Sequence, residues 1–320
     1  MKRFTFALIF MVGLALSLAA QTTSEILGIV TDESGAVVAD AKLVAKNIET
    51  GLTYSGASGE SGQFRMPLLP PGKYQVTVEK PGFAKYVQNG LELQLGQRGD
   101  LAIKLKVSSS AETVTVSSEA PLINTSNAEV GVNIDSKRIS ELPLSPNRNI
   151  LNIALQVAGV SQLSSGNSTF ASGGVAFSVN GMRTRSNNFM IDGADSNNPS
   201  IGGLVQEINN PDTVAEFRMI TNQFLPEYGR AAGSVITMTT KSGTNAFHGT
   251  GYWFYNSNAF NSRSNLDKRT FTKAPWRNEH QRAFTFGGPA IKNRTFFFGS
   301  MLRSTDNRFA SGTAVGAAPT

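Results

Sequence analysis

The chain has two histidines and no cysteine. Neither His248 nor His280 lies in HExxH or in any spacing that gathers ligands round one zinc ion. The ordinary reading of each is a strand or loop residue. No hydroxyl or thiol is spaced against a base as a nucleophile would need. The run from Asp192 to Asn197 has its acids and its glycine misplaced for a calcium loop, and Asp192-Gly193 is first of all a turn between strands. No catalytic, cofactor or metal site is therefore expected, and an enzyme is the least favoured class. The chemistry that remains is that of the backbone. In Glu112-Thr113-Val114-Thr115-Val116, β-branched residues favour extended chain, with Thr113 and Thr115 on one face and Val114 and Val116 on the other. So short a strand does not stand alone in water, and its purpose is to pair.

The elements that must position it follow from composition. The 320 residues are 40% hydrophobic and 16% charged, with 31 glycines, a balance suited to short strands and turns. Net charge is +6 with no Lys/Arg run, so nucleic acid is not an expected partner. Lys2 and Arg3 precede an apolar run from Phe4 to Leu18, and small residues sit before Gln21. That pattern reads as a signal peptide over residues 1–20. With no cysteine, the exported chain must be stabilised by packing rather than disulfides.

Period-two segments follow the signal. Tyr74, Val76 and Val78 alternate with polar residues, as do Leu91, Leu93 and Leu95, then Leu101, Ile103, Leu105 and Val107. Turn signals such as Pro70-Pro71-Gly72 and Pro81-Gly82 separate them. The expectation is a transthyretin/Ig-like β-sandwich over residues 24–107. "GIVTDESGAVVADAKL" and "GESGQFRMPLLPPGKYQVTVEKPGF" resemble the carboxypeptidase regulatory-like domain, which despite its name is not catalytic.

A serine-rich linker with the short strand, residues 108–118, leads to a segment of different texture, residues 119–243. Ile150, Ile153, Ala154 and Val157 have helical spacing and Gly159 stands at the C-cap position. Asp135 or Ser136 is placed to cap a shorter helix before Pro143. Strands come next, giving an α/β domain. "SVNGMRTRSNNFMIDGADSNN" followed by "NNPDTVAEFRMITNQFLPEYGRAAGSVITMTTKSGTNAFHG" resembles the plug of TonB-dependent outer-membrane receptors, in the Oar-like branch where a carboxypeptidase regulatory-like domain precedes the plug. The matching positions include Asn180, Gly181, Arg183, Asp192, Gly193, Glu216, Tyr228 and Gly229. One departure is Ala158-Gly159-Val160, where Pro-Gly-Val is common. Arg183, Arg185 and Arg230 either meet acids of a barrel wall or lie in solvent.

Residues 244–320 alternate aromatic and small or polar residues as transmembrane β-strands do. A hairpin is expected with its turn at Lys292-Asn293. About three strands cannot close a barrel, so the expected architecture is mainly β: sandwich, plug, and the first strands of an incomplete barrel, in a fragment or truncated product. The resemblance implies that Glu112 to Val116 is a TonB box, bound by the periplasmic domain of TonB through β-augmentation. A plain linker, or a last strand of the sandwich, is the other reading of that stretch. The implied function is energy-coupled uptake, across the cell outer membrane, of a large ligand such as an oligosaccharide, peptide or metal chelate. The N-terminal domains would be periplasmic, and outer-membrane lipid would surround the strands. The alternative is a cell-surface adhesion or carbohydrate-binding sandwich without transport.

Overall fold

Alternating residues in the first hundred positions form strands because one face of each can leave water while the other stays in it. The computed structural model describes residues 24–108, 113–117, 128–142, 144, 148–163, 175–200, 203–205, 208, 210–262, 268 and 276–308. The signal segment and Glu112 lie outside these. Seven strands build the first unit: β1 (Ser24–Asp32), β2 (Lys42–Asn47), β3 (Thr53–Ala57), β4 (Gln63–Leu69), β5 (Gly72–Glu79), β6 (Lys85–Leu93) and β7 (Arg98–Leu105). One sheet has the order β4-β1-β7, with β1 and β7 parallel. The other contains β3-β2-β5-β6 and gains a fifth strand, β8 (Thr113–Ser117), beside β6.

The two sheets enclose a core that includes Ile26, Val30, Leu43, Met66, Tyr74, Val76, Val78, Leu91, Leu93, Leu101, Ile103 and Leu105. Leu95 is also buried, but outside this core. Val107 differs from expectation: it is 65% exposed. It follows β7 and makes only an isolated bridge to Phe83, so the alternation of the strand no longer governs it.

The second unit is a five-stranded sheet of order β13-β12-β15-β14-β9. These are β9 (Val130–Asp135), β12 (Asn187–Ile191), β13 (Ala194–Asp195), β14 (Val214–Asn222) and β15 (Ser234–Thr240). A small ribbon of β10 (Val160–Gln162) and β11 (Phe177–Val179) lies alongside. Helix α1 (Ser136–Glu141) starts at Asp135, whose carboxylate accepts from the Arg138 N–H at 2.8 Å. Ile150–Gln156 is apolar as expected, but it is a 3-10 helix. 3-10 geometry is commonly used in such short pieces. Its Ile150, Leu151, Ile153 and Ala154 pack with Phe177, Phe189, Phe217, Met219 and Ile236 in the plug core.

The last three strands, β16 (His248–Ser257), β17 (Arg277–Ile291) and β18 (Thr295–Arg308), form an antiparallel meander. Lys292–Arg294 is the turn between the last two, with Asn293 at φ 60°.

Tyr74 offers a test of the sandwich. It is fully buried and its hydroxyl donates to the Pro70 carbonyl at 2.7 Å. In a polypeptide of residues 24–118, Tyr74→Ala should cost about 3 kcal/mol or more and Tyr74→Phe about 1 kcal/mol, read from urea unfolding. A loss below about 0.5 kcal/mol for the alanine variant would contradict this packing.

Candidate functional site: the coupling strand and the sandwich–plug–barrel junctions

The strand Thr113–Ser117 is not unpaired. It runs parallel to β6, with Lys85 opposite Thr113, Tyr86 opposite Val114 and Gln88 opposite Val116. Val116 packs on the sandwich core, and Thr113 and Thr115 face solvent. This corrects the boundary drawn at residues 107 and 108, because the sandwich sheet reaches Ser117. The physical reason is that β6 would otherwise be the exposed edge of a four-stranded sheet. β8 in turn leaves its own outer edge open.

The plug sheet meets the sandwich through charge. Val214, Phe217 and Met219 of β14 face the plug core. Glu216, Arg218 and Ile220 lie on the other side and are also buried. The sandwich reaches the first two. The Leu95 N–H donates to Glu216 Oε2 at 2.8 Å, and Arg218 Nη1 donates to the Leu95 carbonyl at 2.8 Å. Arg218 Nη2 also pairs with Glu129 at 2.6 Å, just ahead of β9. Gly96 has φ +61°, and the space a Cβ would take there is filled by the Arg218 guanidinium. Asn133 donates to Gln94 at 2.9 Å across the same seam.

Burial pushes the Glu216 carboxyl up to about 7, against the opposing pull of the Leu95 N–H and the Arg218 charge. Burial also raises the Tyr228 phenol, with Arg218 opposing.

The other plug positions have structural duties. Asn180 and Gly181 take positive φ in a tight turn, and Asn180 donates to the Thr221 carbonyl at 2.9 Å. Asp192 and Gly193 likewise form the turn between β12 and β13. Asp192 accepts from both the N–H and the hydroxyl of Thr240 at 2.8 Å, clamping the end of β15. The Tyr228 carbonyl accepts from buried Asn188 at 2.7 Å, and Gly229 follows it at φ 48°. Arg183 begins a 3-10 turn with no side-chain cap. Arg185 donates to the Ser200 carbonyl, and Arg230 pairs with Asp195 at 3.1 Å on the exposed surface. Among the described residues these three arginines meet no acid of the barrel strands.

A different arginine does face the barrel. Arg148 lies over the rings of Tyr252 (4.7 Å) and Phe254 (4.3 Å), a cation–π arrangement. Beside it, Thr250 donates to Asp212 at 3.0 Å and Tyr252 to Asn210 at 3.1 Å. The first barrel strand is thus bound to the plug through its even-numbered residues. At the rim, the Asn245 N–H donates to the Glu49 carbonyl of the sandwich at 3.0 Å, and its side chain bonds Asn293 at 2.8 Å. A cleft of about 770 Å³ opens where the three units meet, lined by Glu49, Pro71, Glu216, Lys241 and His248 among others. Sequence reasoning missed Arg148, Glu129 and Arg218. The available signal for Arg218 was Glu216 and Arg218 two apart in an otherwise apolar strand, a charged face that something must cover. Among the described residues no group of three or more His, Cys, Asp or Glu could hold a metal.

The chain thus combines a β-sandwich, a plug-like α/β unit and three antiparallel strands of the kind that build a barrel. Residues 25–106 match the carboxypeptidase regulatory-like domain and residues 239–320 an outer membrane beta barrel domain. More particularly, the chain is similar to the TonB-dependent transporter Oar of Myxococcus xanthus, 26% identical over 293 residues. The match covers 90% of this chain and 27% of that protein, so the chain spans about a quarter of its relative's length. The siderophore receptor PirA of Acinetobacter baumannii is similar at 18% identity and TM-score 0.40, over 54% of this chain and 24% of that one. A ferric enterobactin receptor mutant from Pseudomonas aeruginosa, in complex with enterobactin, is similar at 18% identity and TM-score 0.39, over 57% of this chain and 26% of that one. The chain is a protein of the outer membrane.

Glu216 makes the junction sensitive to pH. Its folded-state value of about 7 lies above the ordinary 4.5. The folded form therefore keeps a proton that the unfolded chain has lost between those values. The contribution of this group to stability is fully present below about pH 4.5 and is lost as pH rises through about 7, roughly 3 kcal/mol in full. Glu216→Gln, which imitates the protonated acid, should flatten this part of the profile in thermal unfolding of the full chain between pH 5 and 8. Parallel profiles for the two proteins would refute the assignment.

Proposed function

We propose that the chain belongs to an outer-membrane receptor that takes up a large ligand with energy delivered by TonB. The observation that carries this reading is Glu112-Thr113-Val114-Thr115-Val116 standing between sandwich and plug, with Thr113–Ser117 as an edge strand. TonB adds a strand to the open edge of β8. A five-residue strand offers three to five main-chain hydrogen bonds at about 1 kcal/mol net each, less the cost of ordering. The contact is weak and reversible, which suits a partner that engages, pulls and releases.

Beyond β8 the next described side-chain anchor is Glu129, held by Arg218. β9 follows it at once and is an edge strand of the plug sheet, paired only with β14. Force applied at β8 reaches a strand that has one neighbour to leave rather than two. The ligand is a solute too large for porins, of which a metal chelate, an oligosaccharide and a peptide are the candidates.

The test is titration of the soluble periplasmic domain of TonB with residues 24–118, read by amide shifts at TonB's sheet edge. Binding in the micromolar to millimolar range is expected, roughly 4–8 kcal/mol. Thr115→Ser should change it little, whereas Val114→Pro should weaken it about tenfold or more, because proline removes a donor and disrupts a paired strand. A free peptide of residues 111–121 should bind no tighter than the docked strand, since β6 holds β8 already extended. Tighter binding by the peptide would mean that TonB must first strip β8 from β6. Equal binding by the proline variant would remove this strand from the coupling site.

A further inference from the structure

The outward face of the barrel strands carries a charge pair that no acid among the described residues balances. Thr250 and Tyr252 point at the plug, so alternation turns Gly251, Trp253 and Tyr255 outward. Cross-strand partners extend that face: Phe284, Arg282 and His280 on β17, then Met301, Arg303 and Thr305 on β18. Arg282 and Arg303 are direct partners. Like charges directly opposite destabilise a sheet, and both residues are exposed. No Asp or Glu lies on this face of the three strands. Glu279 and Asp306 point the other way, and Arg277 holds both, at 2.7 and 3.4 Å.

The height of the pair is informative. The Lys292–Arg294 turn lies beside the sandwich, through Asn293 and Gly51, so it marks the periplasmic end. From Ile291 to Arg282 is about nine positions along β17. At ~3.4 Å per residue and a tilt of ~40°, that climbs ~23 Å, close to the ~25 Å of an apolar outer-membrane band. Phe284, Phe286, Phe297 and Met301, each exposed, fill the face below. The arginines therefore emerge where the hydrocarbon of the outer leaflet ends. Aromatic residues fix the site. Arg282 lies 5.4 Å from the ring centroid of Trp253, whose indole N–H donates to His280 Nδ1 at 3.2 Å. His280 stacks on Tyr255 at 4.8 Å.

We infer that Arg282 and Arg303 bind the phosphate of an outer-leaflet glycolipid whose acyl chains lie along Phe284 and Met301. A guanidinium pair can hold one phosphate through several N–H donors, which turns the like-charge contact into a bridge. The two charges then need no protein acid on this face. The inference rests on the outer-membrane placement of these strands and not on coupling to TonB.

The test uses the full chain in uncharged detergent with Trp276→Phe, which leaves Trp253 as the sole tryptophan of the two. Micelles doped with diphosphorylated lipid A should change Trp253 emission in a saturable titration. Chemically dephosphorylated lipid A should not, nor should millimolar inorganic phosphate. Arg282→Ala with Arg303→Ala should raise the half-saturation concentration about tenfold, and Arg282→Lys with Arg303→Lys should retain most of the response. The dephosphorylated-lipid arm needs no variant at the arginines, so a folding defect in the alanine protein leaves the test intact. Equal response to both lipids, or saturation by free phosphate alone, overturns the inference. So does a titration indifferent to the arginines, as expected if a carboxylate elsewhere in the barrel neutralises them.

Discussion

Each extended segment presents a row of N–H and C=O groups along both sides, and a row that finds no backbone partner must meet water or another protein. In the sandwich, β6 is covered by β8 rather than left open. In the plug, β9 covers β14. In the last unit, β17 is covered on both sides, by β16 and β18. The rows that remain open fall on β8 and β9 among others, and these two lie on either side of the plug's entry segment. The same constraint that builds the sheets thus leaves both of these strands with one open side.

The junction between sandwich and plug uses polar groups where an apolar contact would have served as glue. Glu216, Arg218 and Glu129 are buried beside the Leu95 backbone, and each bond has a fixed direction. Such networks add less stability than their geometry suggests, because desolvating the charges costs nearly as much as the pairing returns. What they add is register: the Arg218 guanidinium can approach only because Gly96 leaves empty the space a Cβ would occupy. A junction of this kind holds one arrangement and still responds to protonation, as the elevated Glu216 carboxyl requires.

The barrel strands have two faces with opposite requirements. The inner one is polar and specific, binding the plug through Thr250, Tyr252 and Arg148. The outer one is aromatic up to the level of Trp253, where Arg282 and Arg303 stand beside it. Period two assigns residues to these faces. The difference between lipid and plug decides what each must be.

Much was legible in the sequence. Alternation alone identifies Tyr74, Val76, Leu91, Leu93, Ile103 and Leu105 as inward residues, and all are buried. Asp-Gly at 192–193 forms a turn, and Lys292-Asn293 lies in a tight connection, since these are decided within a few residues of chain. The local pattern did not extend to the partners. That Thr113–Ser117 lies along β6, that Leu95 caps Glu216 and Arg218, and that Arg148 rather than Arg183, Arg185 or Arg230 meets the barrel wall all join residues far apart in the chain. The apolar spacing at Ile150–Gln156 fixed its buried face but not its winding. Periodicity records how one segment divides water from core. Which edges meet, and which charges are stripped of water when they do, is set by the packing of whole sheets.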